Sequence, residues 1–115
     1  MYGEVGNDSL HGGEGLNILV GGNGNDRLDG GKELDTLTGG FGQDTFILSK
    51  NSNLDTITDF TVGEDHMLVK NGIADFNHLS LSQNAIGVLV DSGTDGFLLQ
   101  GLILSDIDAS SFIFA

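Results

Sequence analysis

The chain has 115 residues, of which 17 are acidic and 4 are basic, so its formal net charge is −13. A surface this acidic repels nucleic acid and anionic membranes and attracts cations. The chain contains no cysteine, which excludes disulfides and thiolate metal sites, and no apolar run approaches the ~18 residues of a membrane-spanning helix.

Residues 3–47 consist of five consecutive nine-residue units with the pattern Gly-Gly-x-Gly-x-Asp-x-apolar-x. The units read GEVGNDSLH, GGEGLNILV, GGNGNDRLD, GGKELDTLT and GGFGQDTFI. A fixed period held over five units is typical of repeat architectures. We predict that positions one to six of each unit form a turn and that positions seven to nine form a short strand.

The alternation of side chains along these strands predicts the core. Successive strand residues point to opposite faces, so the eighth position should point inward. That position is always large and apolar: Leu10, Leu19, Leu28, Leu37 and Phe46. Two units should make one coil, with one strand on each side. The turns of units one, three and five then share one edge of the coil, called edge one here, and those of units two and four share edge two.

The sixth position carries an aspartate in four units, at Asp8, Asp26, Asp35 and Asp44. Scattered acids would indicate only solubility, but acids at one position of a repeat stack on one another and repel. A divalent cation between adjacent turns reverses that repulsion. Carboxylates combined with main-chain carbonyls at flexible turns favour Ca²⁺ over Mg²⁺ or Zn²⁺. Because five buried apolar side chains cannot offset the entropy of ordering so many residues, we expect the coil to need the metal.

Residues 48–115 hold only six of the 19 glycines and predict a β-rich cap. A polar loop at 49–53 separates the repeats from the strand-like runs of the cap. DSGTDG at 91–96 indicates a hairpin turn, and 105–110 predicts a helical turn capped by Ser105. We expect the repeats (1–47) and the cap (48–115) to form one domain. Strand-like runs occur at 55–60, 66–70, 79–82, 86–90, 97–102 and 112–114.

These units resemble the RTX, or haemolysin-type, calcium-binding repeats, and GGNGNDRLD (21–29) and GGFGQDTFI (39–47) fit the pattern most closely. The segments DTITDFTVGEDHMLV (55–69) and LSDIDASSFIFA (104–115) also resemble the regions that follow such repeats. The resemblance implies an all-β fold, a parallel β-roll of about five nonapeptide half-turns followed by a C-terminal antiparallel β cap. It also implies a secreted or cell-surface protein, exported by type I secretion machinery through its C-terminus, that folds on Ca²⁺ after export.

The resemblance further implies which residues bind about two to three calcium ions. The side chains of Asp8, Asp26 and Asp44 would leave room for two ions on edge one. A further ion in the cap would draw on Asp55, Asp59, Glu64 and Asp65, with Asp55 as its first ligand. The main-chain carbonyls would come from Gly3, Val5, Gly21, Gly22, Asn23, Gly24, Gly40 and Gly42.

Edge two departs from the pattern. It has Asn17 at position six of unit two, Glu33 at position four of unit four, and leucines at position five, Leu16 and Leu34. We hypothesise that this edge, with Asp35 and Asn17, holds one weak ion or none and is covered by the C-terminal segment or by a neighbouring domain. The alternative is ordinary drift in a repeat array.

Other candidate sites are weak. DSGTDG (91–96) imitates part of an EF-hand loop but has Leu102 where a bidentate glutamate is needed. The histidines, His11, His66 and His78, have no zinc-binding spacing, and the serines lack a nucleophile motif, so we expect no enzyme.

We therefore predict a calcium-binding module that serves as the C-terminal folding and secretion domain of a larger secreted protein. The chain starts at the edge of a repeat, so we expect an upstream domain in the parent. The alternative is an extracellular adhesion module or one that binds a polysaccharide such as alginate, for which the roll offers only Arg27, Lys32 and Phe41.

Overall fold

The computed structural model describes residues 2–49, 53–70, 79–92 and 95–114. In these residues each of the five repeat units contributes one strand, and six further strands follow. The strands are β1 (Ser9–His11), β2 (Ile18–Val20), β3 (Arg27–Asp29), β4 (Thr36–Thr38), β5 (Thr45–Ser49), β6 (Leu54–Ile57), β7 (His66–Lys70), β8 (Ser80–Gln83), β9 (Gly87–Asp91), β10 (Gly96–Gln100) and β11 (Phe112–Phe114). No helix within the described ranges has the length and apolar character that a membrane crossing requires.

The strands form two sheets, as the two-sided coil requires. Sheet one has the order β1-β3-β5-β7-β11, and sheet two has the order β2-β4-β6-β10-β9-β8. The repeat strands pair in parallel and in register, with Leu10 opposite Leu28 and Leu28 opposite Phe46. The assignment of alternate units to opposite edges is therefore confirmed.

The coil continues beyond the fifth unit. Strand β6 pairs in parallel with β4, placing Ile57 opposite Leu37, and β7 pairs in parallel with β5, placing Met67 opposite Phe46. The antiparallel part of the predicted cap is the meander β10-β9-β8, which joins sheet two through β6. The roll with a β cap is thus confirmed, and three of the cap strands, β6, β7 and β11, extend the roll itself.

Local hydrogen bonds explain where the predicted cap elements differ. The run predicted at 55–60 stops at Ile57, because the Asp59 carboxylate turns to accept the N–H groups of Gly39 and Gly40, both at 2.8 Å. The helical turn predicted at 105–110 is instead two 3₁₀ turns, Leu104–Asp106 and Ala109–Ser111. Ser105 is not a cap; the side chain of Asp108 caps the second turn by accepting the Ser110 N–H.

The core lies between the two sheets. Leu19, Leu28, Leu37 and Phe46 are fully buried, as their eighth position predicts, whereas Leu10 is partly buried because it lies in the first coil. The cap closes the other end of this core. Its contributions include Leu48, Ile57, Phe60 and Met67, and the rings of Phe46 and Phe60 lie 6.0 Å apart.

Glycine at position four of edge one is required by the stacking of the turns as well as by the backbone conformation. Gly6 and Gly24 have φ values of 106° and 110°. A methyl group at Gly24 would lie 2.4 Å from Gly6 O, whereas nothing lies within 4 Å of one at Gly6. We expect Gly6→Ala to cost ~1–2 kcal/mol of backbone strain and Gly24→Ala to cost ~1–3 kcal/mol more from the clash. Thermal unfolding of both calcium-loaded variants measures the difference, and equal costs would show that the turns can separate freely.

Candidate metal sites

The sixth-position aspartates of edge one form a column of linked turns. Asp26 Oδ1 accepts the N–H of Asp8 at 2.8 Å, and Asp44 Oδ1 accepts the N–H of Asp26 at 2.9 Å. Asp65 continues the column, since its Oδ1 accepts the N–H of Asp44 at 2.9 Å. The carboxylates of Asp26, Asp44 and Asp65 thus each use one oxygen to hold the preceding turn of the column.

Edge two has the same construction over three turns. Asp35 Oδ1 accepts the N–H of Asn17 at 2.8 Å, and Asp55 Oδ1 accepts the N–H of Asp35 at 3.0 Å. Asp55 therefore extends edge two and Asp65 extends edge one. The prediction that these two residues, with Asp59 and Glu64, hold one further ion in the cap is wrong, because Asp55 and Asp65 belong to columns on opposite edges.

The second carboxylate oxygen lacks a hydrogen-bond donor in five of these aspartates. These buried atoms are the Oδ2 atoms of Asp8, Asp26, Asp35, Asp44 and Asp55. A buried carboxylate without a compensating partner is strongly disfavoured and must gain either a proton or a cation. Burial, together with the charge of neighbouring aspartates as a smaller cause, accordingly raises the pKa of Asp44 to about 7 and that of Asp55 to about 8. The donor-free oxygens are the feature that a calcium ion would satisfy.

Asn17 shows what this position looks like when the carboxylate is replaced. A methyl group built at Gly12 would lie 2.8 Å from Asn17 Nδ2, and one built at Gly21 would lie 2.5 Å from Asp26 Oδ2. The Asn17 nitrogen therefore occupies the place that the donor-free oxygen occupies in the aspartate units.

At that place the Asn17 amide donates to the carbonyls of its own turn. Nδ2 lies 3.3 Å from Glu14 O and 3.1 Å from Gly15 O. Main-chain oxygens at positions three and four thus converge beside the sixth-position side chain. In the aspartate units a carboxylate oxygen takes the place of the Asn17 amide nitrogen beside these carbonyls. A carboxylate oxygen cannot donate a hydrogen bond to a carbonyl, so a cation between the two kinds of oxygen would supply the positive charge that the amide N–H groups supply in unit two.

The carbonyls predicted as ligands lie in stacked turns of edge one. Gly22 O and Gly24 O approach the next turn so closely that a methyl group at Gly40 or Gly42 would lie 2.3 Å from them. The remaining predicted carbonyls are in the same stack: Gly3 and Val5 in unit one, and Gly21 and Asn23 in unit three. Asn23 O is already engaged, since it accepts the N–H of Gly6 at 3.0 Å.

Sequence reasoning missed a second ladder at position five of edge one. Asn7 Oδ1 accepts the N–H of Asn25, and Asn25 Oδ1 accepts the N–H of Gln43, both at 2.8 Å. These bonds link each turn to the following one, in the opposite direction to the aspartate bonds. The restriction of amides to position five of edge one, where edge two has leucines, is the signal that could have revealed the ladder.

The last turn of edge one opens onto a cleft of about 380 Å³ between unit five and residues 59–65. It is lined by Gly40, Phe41, Gly42, Asp59, Thr61 and Glu64. Glu64 therefore lies beside the Asp44–Asp65 step of the column. Across the described ranges, no three acidic or histidine side chains converge as a self-sufficient metal cluster. Carbonyl oxygens would have to complete any coordination sphere here.

The C-terminal segment does not cover edge two in the described residues, so this part of the hypothesis is wrong, and cover by a neighbouring domain stays a prediction. Leu16 is 77% exposed and Leu34 is 54% exposed. Strands β8, β9 and β10 instead lengthen sheet two beyond β6, and β11 lengthens sheet one.

The other candidate sites have simple structural roles. Asp91–Gly96 falls in the antiparallel hairpin of β9 and β10, although residues 93–94 lie outside the described part. His11 is exposed and contacts Asp29 at 3.3 Å, His66 lies in β7, and His78 lies outside the described residues. Ser49 Oγ donates to Asp29 rather than to His11, so this group is not arranged as a nucleophile and base.

The raised pKa values predict that protons can partly replace the metal. Aspartate in an unfolded chain titrates near ~3.9, whereas Asp44 and Asp55 titrate at about 7 and about 8 in the metal-free fold. A carboxyl group whose pKa is higher in the folded chain than in the unfolded chain stabilises the fold at low pH. This stabilisation is lost as the pH rises through the pKa of the folded chain. In calcium-free buffer we therefore expect more β circular dichroism at pH 5 than at pH 8.5. An Asp44→Asn, Asp55→Asn double variant should show a smaller pH dependence, and the same spectrum at both pH values for the parent chain would contradict this expectation.

Comparison with known proteins agrees with this geometry. The family model of the RTX calcium-binding nonapeptide repeat matches four copies, at residues 2–37 and 20–50. No curated relative matches the chain.

Two solved structures share the fold. The extracellular lipase LipA from Serratia marcescens is 22% identical with a TM-score of 0.66, and the match covers 96% of this chain. The chain spans only 20% of the lipase. The AlgE6R3 subunit of the mannuronan C5-epimerase from Azotobacter vinelandii is 26% identical with a TM-score of 0.58, covering 98% of this chain and 81% of that subunit. The chain therefore has a β-roll fold, and its residues 2–50 match the RTX calcium-binding nonapeptide repeat.

Proposed function

We propose that the chain is a calcium-dependent folding module of a larger exported protein. The observation that carries this proposal is the set of buried Oδ2 atoms without a donor. Asn17 supports it, because the one turn whose sixth position can donate a hydrogen bond uses that donor on the turn carbonyls.

Pairs of stacked carboxylates define the ion sites under this proposal. Edge one offers three successive steps along Asp8, Asp26, Asp44 and Asp65. Edge two offers one step, between Asp35 and Asp55, and a weaker one beside Asn17, which has a single carboxylate. The structure thus supports about three ions on edge one and one on edge two, more than the two to three expected from the repeats alone.

The repeats and the cap would fold as one unit, because both carboxylate columns and both sheets cross the boundary at residue 48. Calcium supplies the charge that these columns lack, and the turns supply oxygen ligands in a fixed stack. Affinities of roughly 10⁻⁴–10⁻³ M, the range of extracellular modules, would leave the chain unfolded inside the cell and folded outside it. This coupling suits type I export of an unfolded chain through its C-terminus.

Two opposite substitutions test the ion sites. Asp44→Asn removes a carboxylate shared by two steps of edge one, and Asn17→Asp restores the missing carboxylate on edge two. Calorimetric titration with CaCl₂ should show fewer ions bound to the first variant and one more tight ion bound to the second. Equal stoichiometry in the parent chain and both variants would refute the column sites. Glu14→Gln, which removes a charge from a side chain 87% exposed, is the control for net charge.

Polysaccharide binding is the second candidate. It is favoured by the likeness to a subunit of a mannuronan C5-epimerase and by Phe41, which is 81% exposed beside the cleft of edge one. Against it, the net charge of −13 repels a polyanion such as alginate. Oligomannuronate binding in saturating calcium that is lost in Phe41→Ala would support this candidate, and no binding would remove it.

A further inference from the structure

The outward face of sheet two has no charged side chain in strands β2, β4, β6 and β10. The inward positions of these strands are occupied by fully buried residues such as Leu19, Leu37 and Ile57, so the alternate residues face outward. Those outward residues are Ile18, Val20, Thr36, Thr38, Leu54, Thr56, Gly96, Leu98 and Gln100. In a chain with 17 acidic residues, a neutral face across four adjacent strands is a distinct surface feature.

Exposed apolar side chains concentrate along one side of this face. The position-five leucines Leu16, Leu34 and Leu54 are 77%, 54% and 40% exposed, and Ile18 is 63% exposed. Edge one has amides at the same position, and those amides are used in hydrogen bonds between turns. The leucines make no equivalent bond, and monomeric proteins seldom leave such side chains grouped at the surface.

Sheet one provides the contrast within the same molecule. Its outward residues include Arg27, Asp29, His66 and Lys70. Strands β3 and β4 have the same length and the same burial of the central leucine. At the two outward positions, however, β3 presents the charged residues Arg27 and Asp29, whereas β4 presents two threonines. Strand formation alone therefore does not account for the neutral face.

We propose that the outward face of sheet two is an interface between two copies of this chain, packed sheet against sheet across a two-fold axis. A two-fold interface needs a surface that is complementary to itself. With a net charge of −13 per copy, a contact through an acidic surface would be repulsive, so the neutral face is the one on which two copies can meet. Sheets pack about 10 Å apart with their side chains interdigitated, which suits small threonines between larger leucines.

The size of the face predicts a weak dimer. Four strands ~4.8 Å apart and three to five residues long at ~3.3 Å each span roughly 14 Å by 10–16 Å. The strands alone therefore offer well under the about 800 Å² per partner that is typical of specific interfaces, so the dimer should form only at high protein concentration. Repulsion between the two acidic copies opposes association, so added salt should strengthen the dimer by screening. An interface held by opposite charges would weaken with salt instead.

Sedimentation equilibrium of the full chain in saturating calcium tests this interface, at protein concentrations up to about 1 mM and at low and high NaCl. We expect a dimer that strengthens with salt. Thr36→Lys places a charge in the centre of the face and should weaken dimerisation about tenfold or more. Thr45→Lys makes the same change at the matching position of β5 in sheet one and should change it less than twofold.

A monomer at every concentration and salt, or equal weakening by the two lysine variants, would overturn the interface. For each variant, calcium-induced folding is measured in parallel by circular dichroism during a calcium titration. A variant that folds with calcium but does not dimerise shows that the substitution acts on the interface and not on the fold. Failure of the parent chain to dimerise would overturn the interface alone, because calcium-dependent folding does not require it.

Discussion

Truncation of the chain after Ser49 is expected to abolish calcium-induced folding. The truncation removes β7, which pairs with every residue of β5, and β6, which pairs with β4. Phe46 and Leu37, both fully buried in the intact chain, would then lie on open strands and lose several kcal/mol of burial between them. Far-ultraviolet circular dichroism during titration to about 10 mM CaCl₂, well above the expected affinity range, should show no gain of β structure.

Point variants show whether the cap acts through this packing. Met67→Ala removes a fully buried side chain opposite Phe46 and should cost ~2–5 kcal/mol, raising the calcium concentration at the folding midpoint. Ile113→Ala, at a position 46% exposed on β11, should shift the midpoint much less. A truncated chain that folds fully with calcium would show that the repeats do not need the cap.

Removal of calcium at pH 8.5 is expected to unfold most of the roll. This pH is above the raised pKa values of Asp44 and Asp55, about 7 and about 8, so both carboxyl groups would be ionised. Without calcium the folded chain would then have to bury unpaired charges. Calcium should restore the β signal, and Mg²⁺ at the same concentration should not, because Mg²⁺ demands a stricter octahedral geometry and keeps its water.

Asp26→Asn sharpens this test, since Asp26 lies in the middle of the edge-one column and is 1% exposed. It should raise the calcium concentration needed for folding several-fold, whereas Glu14→Gln, which changes the net charge equally, should leave it unchanged. A metal-free chain that stays folded at pH 8.5 would contradict the dependence on calcium.

The repeat part of the fold could be predicted from local patterns. The eighth-position residues Leu19, Leu28 and Leu37 alternate with polar neighbours, and the nine-residue period assigns each strand to a side of the coil. Both signals are contained in a few consecutive residues. The sixth-position aspartates were predictable for the same reason.

The continuation of the columns was harder to predict because the period changes. Successive turns on one edge are 18 residues apart within the repeats, as for Asp26 and Asp44, but 21 residues separate Asp44 from Asp65. The turn before Asp65 also lacks the Gly-Gly start, and Asp59 takes over the N–H groups of Gly39 and Gly40. Asp55 was predicted as a ligand from the sequence, but its edge depends on the pairing of Ile57 with Leu37, which the sequence of either strand alone does not specify.

The order of the cap strands depends on contacts distant in sequence. Strand β6 pairs with β10 rather than with β8 or β9, with Gly96 opposite Leu54. Local patterns predicted the β9–β10 hairpin but could not show which of its strands would join the roll. The neutral outer face of sheet two likewise emerges only when strands from separate parts of the chain are placed side by side.

Anomalous difference density from crystals of the calcium-loaded chain tests the central claim most directly. We predict peaks beside the Oδ2 atoms that lack a donor, between Asp26 and Asp44 on edge one and between Asp35 and Asp55 on edge two, with no strong peak beside the Asn17 amide. Ordered columns without anomalous peaks, with their carboxyls protonated or bonded to water, would show that the roll is held together without the metal.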